Sequence, residues 1–215
     1  MTRDPRGANG SAAVAAGSLI LIALVGHPVA DRLWLALVPA AALMVLSTRG
    51  LHSWQAGRDG MLGVVGTLVL QGGSFLLLLS ALASAIATTL LGLEPAWMAT
   101  LDTSSAWVFL LGVILFGTAA AIAGVLPRGS AVAFAASIPL GLALDAVAER
   151  MAGSGLATVI APGELLSGVG FYVGLGIFAL SLVRLGFVAR RPPAVVVDGG
   201  RRGGGPHPAA SEVPG

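Results

Sequence analysis

The chain has 215 residues, 56% of them hydrophobic and only 10% charged, with a net charge of +2 and a mean hydropathy of +0.91. A soluble domain carries about 25% charged residues, so this composition excludes a soluble globular fold and leaves a multi-span membrane protein built as one bundle with tails. The absence of cysteine excludes disulfides, thiolate nucleophiles and Cys-ligated metal or iron–sulfur centres, and a pI near 10.4 resting on so small a net charge is no argument for nucleic acid.

Residues 1–10 form a polar N-terminal segment with Arg3 and Arg6. Residues 11–189 form the membrane domain, for which six helices are expected. The first apolar run, Ala12 to Gly26, ends at the polar turn His27-Pro28-Val29-Ala30-Asp31-Arg32. A cleaved signal peptide is the rival reading of this start, but Pro28 suits the position three residues before a cut poorly. The second run, Leu33 to Thr48, has 16 uncharged residues and contains Pro39. A loop from Arg49 to Asp59 should follow.

The third run, Gly60 to Leu93, extends for 34 residues without a charge. A bilayer core needs about 20 apolar residues at about 1.5 Å rise each. The run is therefore one long, tilted helix passing the lipid at its later end, and too short for two spans and a turn. The fourth run is expected from Ala106 to Leu126, after a mixed loop holding Trp97 and Asp102. Pro127-Arg128-Gly129 then reads as a tight turn. The fifth run reaches Leu144, contains Pro139, and should continue as helix through Asp145, Glu149 and Arg150 above the membrane. A Gly-rich connector passes Pro162-Gly163-Glu164 to the sixth run, Leu165 to Val183, 19 uncharged residues. Residues 190–215 are Pro, Gly, Arg and Ala without periodicity and read as a disordered cytoplasmic tail.

Orientation follows from arginine, since positive charge is retained on the cytoplasmic side. With the N-terminus inside and six spans, Arg3, Arg6, Arg49, Arg58, Arg128, Arg184, Arg190, Arg191, Arg201 and Arg202 fall inside, and only Arg32 and Arg150 outside. Trp34, Trp97 and Trp107 then lie towards one interface and Trp54 towards the other. The expected location is the plasma membrane, multi-pass, with both ends cytoplasmic.

Polar residues inside the spans are few. Gln71 and Ser74 stand near the depth centre of the third span, and either line a solute site or bond a neighbouring helix, a bond worth about 0.6 kcal/mol. Asp145 abuts the fifth run, one helical turn from Glu149, and completes a candidate polar site with Gln71 and Ser74. With Asp31, Glu94, Asp102 and Glu164 it makes the outer side acidic, which could draw cations or be solvated loop charge. Gly66, Gly73, Ser80, Ser84 and Thr88 fall on one face of the third helix. Gly117 with Ala121, Ala120 with Gly124, and Gly170 with Gly174 make similar small-residue pairs. Small residues let membrane helices approach closely, so the third, fourth and sixth spans are expected to pack around each other. Pro39 and Pro139 hint at two inverted halves, but they differ by about a turn of register. The Arg-Gly stretch of the tail has no aromatic partners for RNA and suits anionic lipid instead.

No nucleophile elbow, P-loop, dinucleotide fingerprint, metal-ligand motif or paired intramembrane carboxylate is present, so no cofactor, metal or catalytic residue is expected. The segment Gly124-Val-Leu-Pro-Arg128, closing one span and opening the next, resembles a turn found in uncharacterised multi-pass membrane proteins of GC-rich bacteria. That resemblance implies an all-α, six-span fold and no activity. Three functional classes follow. The first is a structural or accessory membrane subunit acting through helix packing, as a homo-oligomer or with a membrane-protein partner. The second is a small-solute transporter or substrate-binding component with its site near Gln71 and Ser74. An intramembrane enzyme is the third and least supported.

Overall fold

The structure is a computed structural model and describes residues 5–26, 35–55, 58–87, 92, 95–153 and 168–190. His27, Asp31, Arg32, Trp34, Thr88, Glu94, Glu164, the connector and the C-terminal tail from Arg191 lie outside the described residues. The described residues contain six helices: α1 (Pro5–Gly26), α2 (Leu37–Gln55), α3 (Gly60–Ala85), α4 (Ala96–Ala123), α5 (Arg128–Gly153) and α6 (Val169–Ala189). No strand occurs among them. All but α2 are long and apolar enough to cross a membrane, so this is an all-α membrane protein. The last two turns of α2 carry Arg49, His52, Ser53 and Gln55, which lowers its hydropathy.

Several boundaries differ from the sequence expectation: α1 begins already at Pro5 rather than near Ala12, and α6 runs from Val169 to Ala189 rather than from Leu165 to Val183. α2 continues as helix to Gln55, where a loop from Arg49 was expected. α4 begins at Ala96, ten residues before the apolar run at Ala106, so Trp97 and Asp102 are helical. In both cases polar residues extend a helix that the apolar core nucleates, because a continued helix satisfies its own backbone groups. The turn between α4 and α5 lies at Gly124–Pro127, before Arg128. Gly124 closes α4 in the left-handed region at φ 65°, and the Pro127 carbonyl accepts from the Ser130 and Ala131 N–H groups as α5 begins.

The helices form a closed ring. Each packs against its neighbours in the chain, α6 returns to α1, and α2 touches α6 across the middle. Neighbours run antiparallel. The N-terminal half of α1 lies on the C-terminal half of α6, with Gly10 beside Gly186 and Gly17 beside Ala179. Antiparallel order collects Arg49, Arg58, Arg128, Arg184 and Arg190 at one end, here the basic end. Asp102, Asp145, Glu149 and Arg150 gather at the other, the acidic end. Each helix buries a stripe at helical spacing; on α2 it is Ala40, Met44, Ser47, Leu51 and Gln55.

The α3–α4 seam is the most extensive in the ring. A Cβ added to Gly66 would lie 2.7 Å from the backbone nitrogen of Phe116, and one on Gly73 would lie 2.5 Å from Phe109 Cα. Gly112 of α4 meets the Leu70 backbone in the opposite direction. Farther along, Ser80 donates a hydrogen bond to the Asp102 carboxylate. All four pairs share one antiparallel register, so the two helices lie straight against each other from Gly66 to Ser80. In the middle of the ring, Phe109 and Phe116 of α4, Phe134 of α5 and Phe178 of α6 form a buried aromatic cluster. Ring centroids lie 5.6 Å apart for Phe109–Phe178, 4.8 Å for Phe134–Phe178 and 6.1 Å for Phe116–Phe134. These are favourable offset and edge separations for aromatic pairs.

Candidate functional site

The residues singled out in the sequence go to different places. Gln71 is half-buried, and its amide Nε2 donates to the Val45 carbonyl of α2 at 3.4 Å. It faces the α2–α3 seam. Ser74 is buried, and its hydroxyl donates to the Leu70 carbonyl one turn back at 2.7 Å. Asp145 stands at the acidic end of α5 and accepts two hydrogen bonds, each 2.8 Å, from the Gly170 and Phe171 N–H groups. These are the first-turn donors of α6, which the helix itself leaves without partners. The carboxylate thus caps α6 from a neighbouring helix and complements its positive end. Gln71, Ser74 and Asp145 therefore do not converge on one polar site.

The small residues are packing contacts. Gly66 and Gly73 receive the α4 backbone, Gly117 faces Ala135 of α5, and Gly170 and Gly174 meet Gly141 of α5. Ser84 and Ala121 are half-buried; Ala121 packs against the core and also borders the groove between α4 and α5. The backbone of α6 packs on α5 and α1 rather than on α3 and α4, which corrects the expected grouping of the third, fourth and sixth spans. The reason is register. The α6 glycines fall level with Gly141, whose Cβ position is filled by the Gly170 carbonyl.

A cavity of about 330 Å³ opens inside the ring. Every helix contributes to its wall, through Ile20, Met44, Ser74, Phe109, Leu142 and Phe178 among others. It occupies the half of the bundle nearer the acidic end, since its residues on α2 and α6 begin at Leu37 and Phe171, close to the starts of those helices. Phe109 and Phe178 close it towards the basic end, with Phe134 stacked behind them. Among the described residues Ser74 is the only polar side chain in the lining, and its donor is already used by Leu70. Among the described residues the space therefore offers aliphatic and aromatic surface, one spare hydroxyl acceptor and no charge.

Such a space has a narrow chemical meaning. A cavity holds water only where two to four polar partners await it, and an engineered apolar cavity of about 150 Å³ stays dry and binds benzene. The present cavity is about twice that size and lies within the usual range of ligand pockets, about 300–1,000 Å³. Its described lining suits hydrocarbon. The sequence carries no signal for it, because Leu, Ala and Phe line every helix face whether they meet lipid, another helix or a void.

The polar features of the basic end are separate from this cavity. His52 Nδ1 and Asp59 Oδ2 pair at 2.9 Å, with the Asp59 side chain only 2% exposed. That carboxylate sits directly on Gly63, where any Cβ would collide with it. The pair fastens the α2–α3 connection. Near it, Gln55 is 1% exposed, with neither amide atom hydrogen-bonded among the described residues. Among the described residues no three His, Asp or Glu side chains are grouped to hold a metal ion. No family model, curated protein or solved structure matches the chain.

Proposed function

We propose that this protein crosses the plasma membrane six times, with both ends cytoplasmic, and binds an apolar molecule in the cavity inside its helix ring. The supporting observation is the cavity itself, walled by all six helices and, among the described residues, lacking a free side-chain donor or any charge. The occupant is a hydrocarbon-rich compound, such as part of an acyl or isoprenoid chain, about twice the size of benzene. Two observations support the six spans. α1 and α3 both run from the basic to the acidic end, so the chain between them must return over the same height. α2 has 19 residues, about 28 Å at 1.5 Å per residue, close to the thickness of a bilayer core. The basic end is the cytoplasmic one because Arg49, Arg58, Arg128, Arg184 and Arg190 gather there against Arg150.

This reading differs from the two that lead in the sequence analysis. A polar solute would need Gln71 in the lining, and Gln71 is bonded to α2 instead. A structural subunit packing against a partner would use other surfaces, since Gly66, Gly73, Gly117, Gly170 and Gly174 all meet helices of the same chain. The test is photolabelling with a long-chain alkyl diazirine in proteoliposomes. Labels are expected at Leu77 and Phe178 in the wild type and not in Ala81→Leu/Ala106→Leu, which fills the cavity. Labelling confined to lipid-facing Leu68 and Phe75, unchanged by the double substitution, would refute the proposal.

A further inference from the structure

A second concavity lies on the outer face of the ring, between α4 and α5, and shares no lining residue with the central cavity. It is an open groove of about 470 Å³ over Gly117, Thr118, Ala121, Val132, Ala136 and Pro139. Small side chains make its floor, because Gly117 and Ala135 hold the two backbones close, and Ile114 and Ile122 of α4 flank it. Arg128 closes its end at the basic side. That arginine is exposed and makes no ion pair among the described residues. It is also the first residue of α5, so the positive end of the helix dipole adds to its charge.

We infer that this groove is a binding site for one anionic phospholipid, with its phosphate at Arg128 and the start of α5 and an acyl chain along the hollow. Length and charge both fit. From Arg128 to Pro139 the groove follows α5 for about 16 Å at 1.5 Å per residue, which is one leaflet of a bilayer core of about 30 Å. The free cation stands at the headgroup end and the apolar floor at the acyl end, as a lipid of that leaflet requires. Anionic headgroups attract a surface arginine by an amount that a neutral zwitterionic headgroup does not match.

The experiment is native mass spectrometry of the full chain released from micelles holding equal amounts of dioleoyl phosphatidylglycerol and dioleoyl phosphatidylcholine. A single phosphatidylglycerol adduct is expected, preferred about fivefold over phosphatidylcholine, the ratio equivalent to about 1 kcal/mol for one arginine at an anionic surface. Arg128→Gln should reduce the ratio to about one. Ala136→Leu, on the exposed floor, should remove both adducts while the protein stays folded. Arg184→Gln, an exposed arginine at the same end, should keep the preference. Four results would overturn the inference: no preference in the wild type, equal losses at Arg184 and Arg128, an adduct with inorganic phosphate alone that Ala136→Leu leaves intact, or a dimer that excludes lipid from the groove.

Discussion

Replacing Gly73 by alanine should loosen the whole protein, and replacing its neighbour Gly72 should not. The new Cβ at position 73 would stand 2.5 Å from Phe109 Cα and 2.6 Å from its backbone nitrogen. Carbon atoms rest at about 3.5–4.0 Å, so the seam must open by about 1 Å. The obstructing atoms belong to a helix backbone and cannot rotate aside. A gap of that size forfeits about a quarter to a half of each contact, and with on the order of twenty atom pairs at about 0.1–0.2 kcal/mol each, the loss is about 1 kcal/mol. Gly66–Phe116 and Gly112–Leu70 lie in the same register, so they are disturbed as well. The expected total is about 2 kcal/mol, within the range for overpacked cores. Gly72 has nothing within 4 Å of its Cβ position, and alanine there should be neutral or stabilise the helix by about 0.5 kcal/mol. Unfolding in mixed micelles by SDS, followed by tryptophan fluorescence, measures both. If the two variants fall within about 0.5 kcal/mol of each other, the close α3–α4 approach is not what holds the ring.

Three further outcomes are expected. Asp145→Ala removes both acceptors from the first turn of α6 and should cost about 2 kcal/mol, whereas Asp145→Asn keeps one acceptor and should cost about 1; equal and negligible effects would mean that the cap does not matter. Gln55→Met deletes a buried amide with neither atom bonded among the described residues and should stabilise by about 1 kcal/mol; a loss of stability would reveal a partner for that amide. Because the chain has no cysteine, single cysteines can be probed with a membrane-impermeant maleimide. Gln71→Cys and Ser74→Cys should stay unlabelled from either side while Asp145→Cys reacts from the acidic side, and labelling at position 71 would point to a wet interior and against an apolar site.

Much of the fold could be read from residue types alone. A chain with 10% charge has no means of solvating a surface, and its arginines fall at alternate turns. From these follow the helices, their number and the division into a basic and an acidic end. The close-packing role of Gly66 and Gly73 was also legible, because a missing side chain on one helical face has few other uses in lipid. The partners were not. The α6 glycines meet Gly141 because of the register between α5 and α6, and register is a property of two helices together. Asp145 looked like a site residue because it borders an apolar run. Its carboxylate is occupied by backbone donors brought to it from 25 and 26 positions later in the chain. The cavity was the least legible feature. The hydrophobic effect is nondirectional, so an alanine or leucine facing a void is indistinguishable in sequence from one facing lipid. Residue chemistry alone therefore determined that this protein lives in a membrane as antiparallel helices. The closing of those helices into a ring decided which apolar faces would meet, and where a space was left between them.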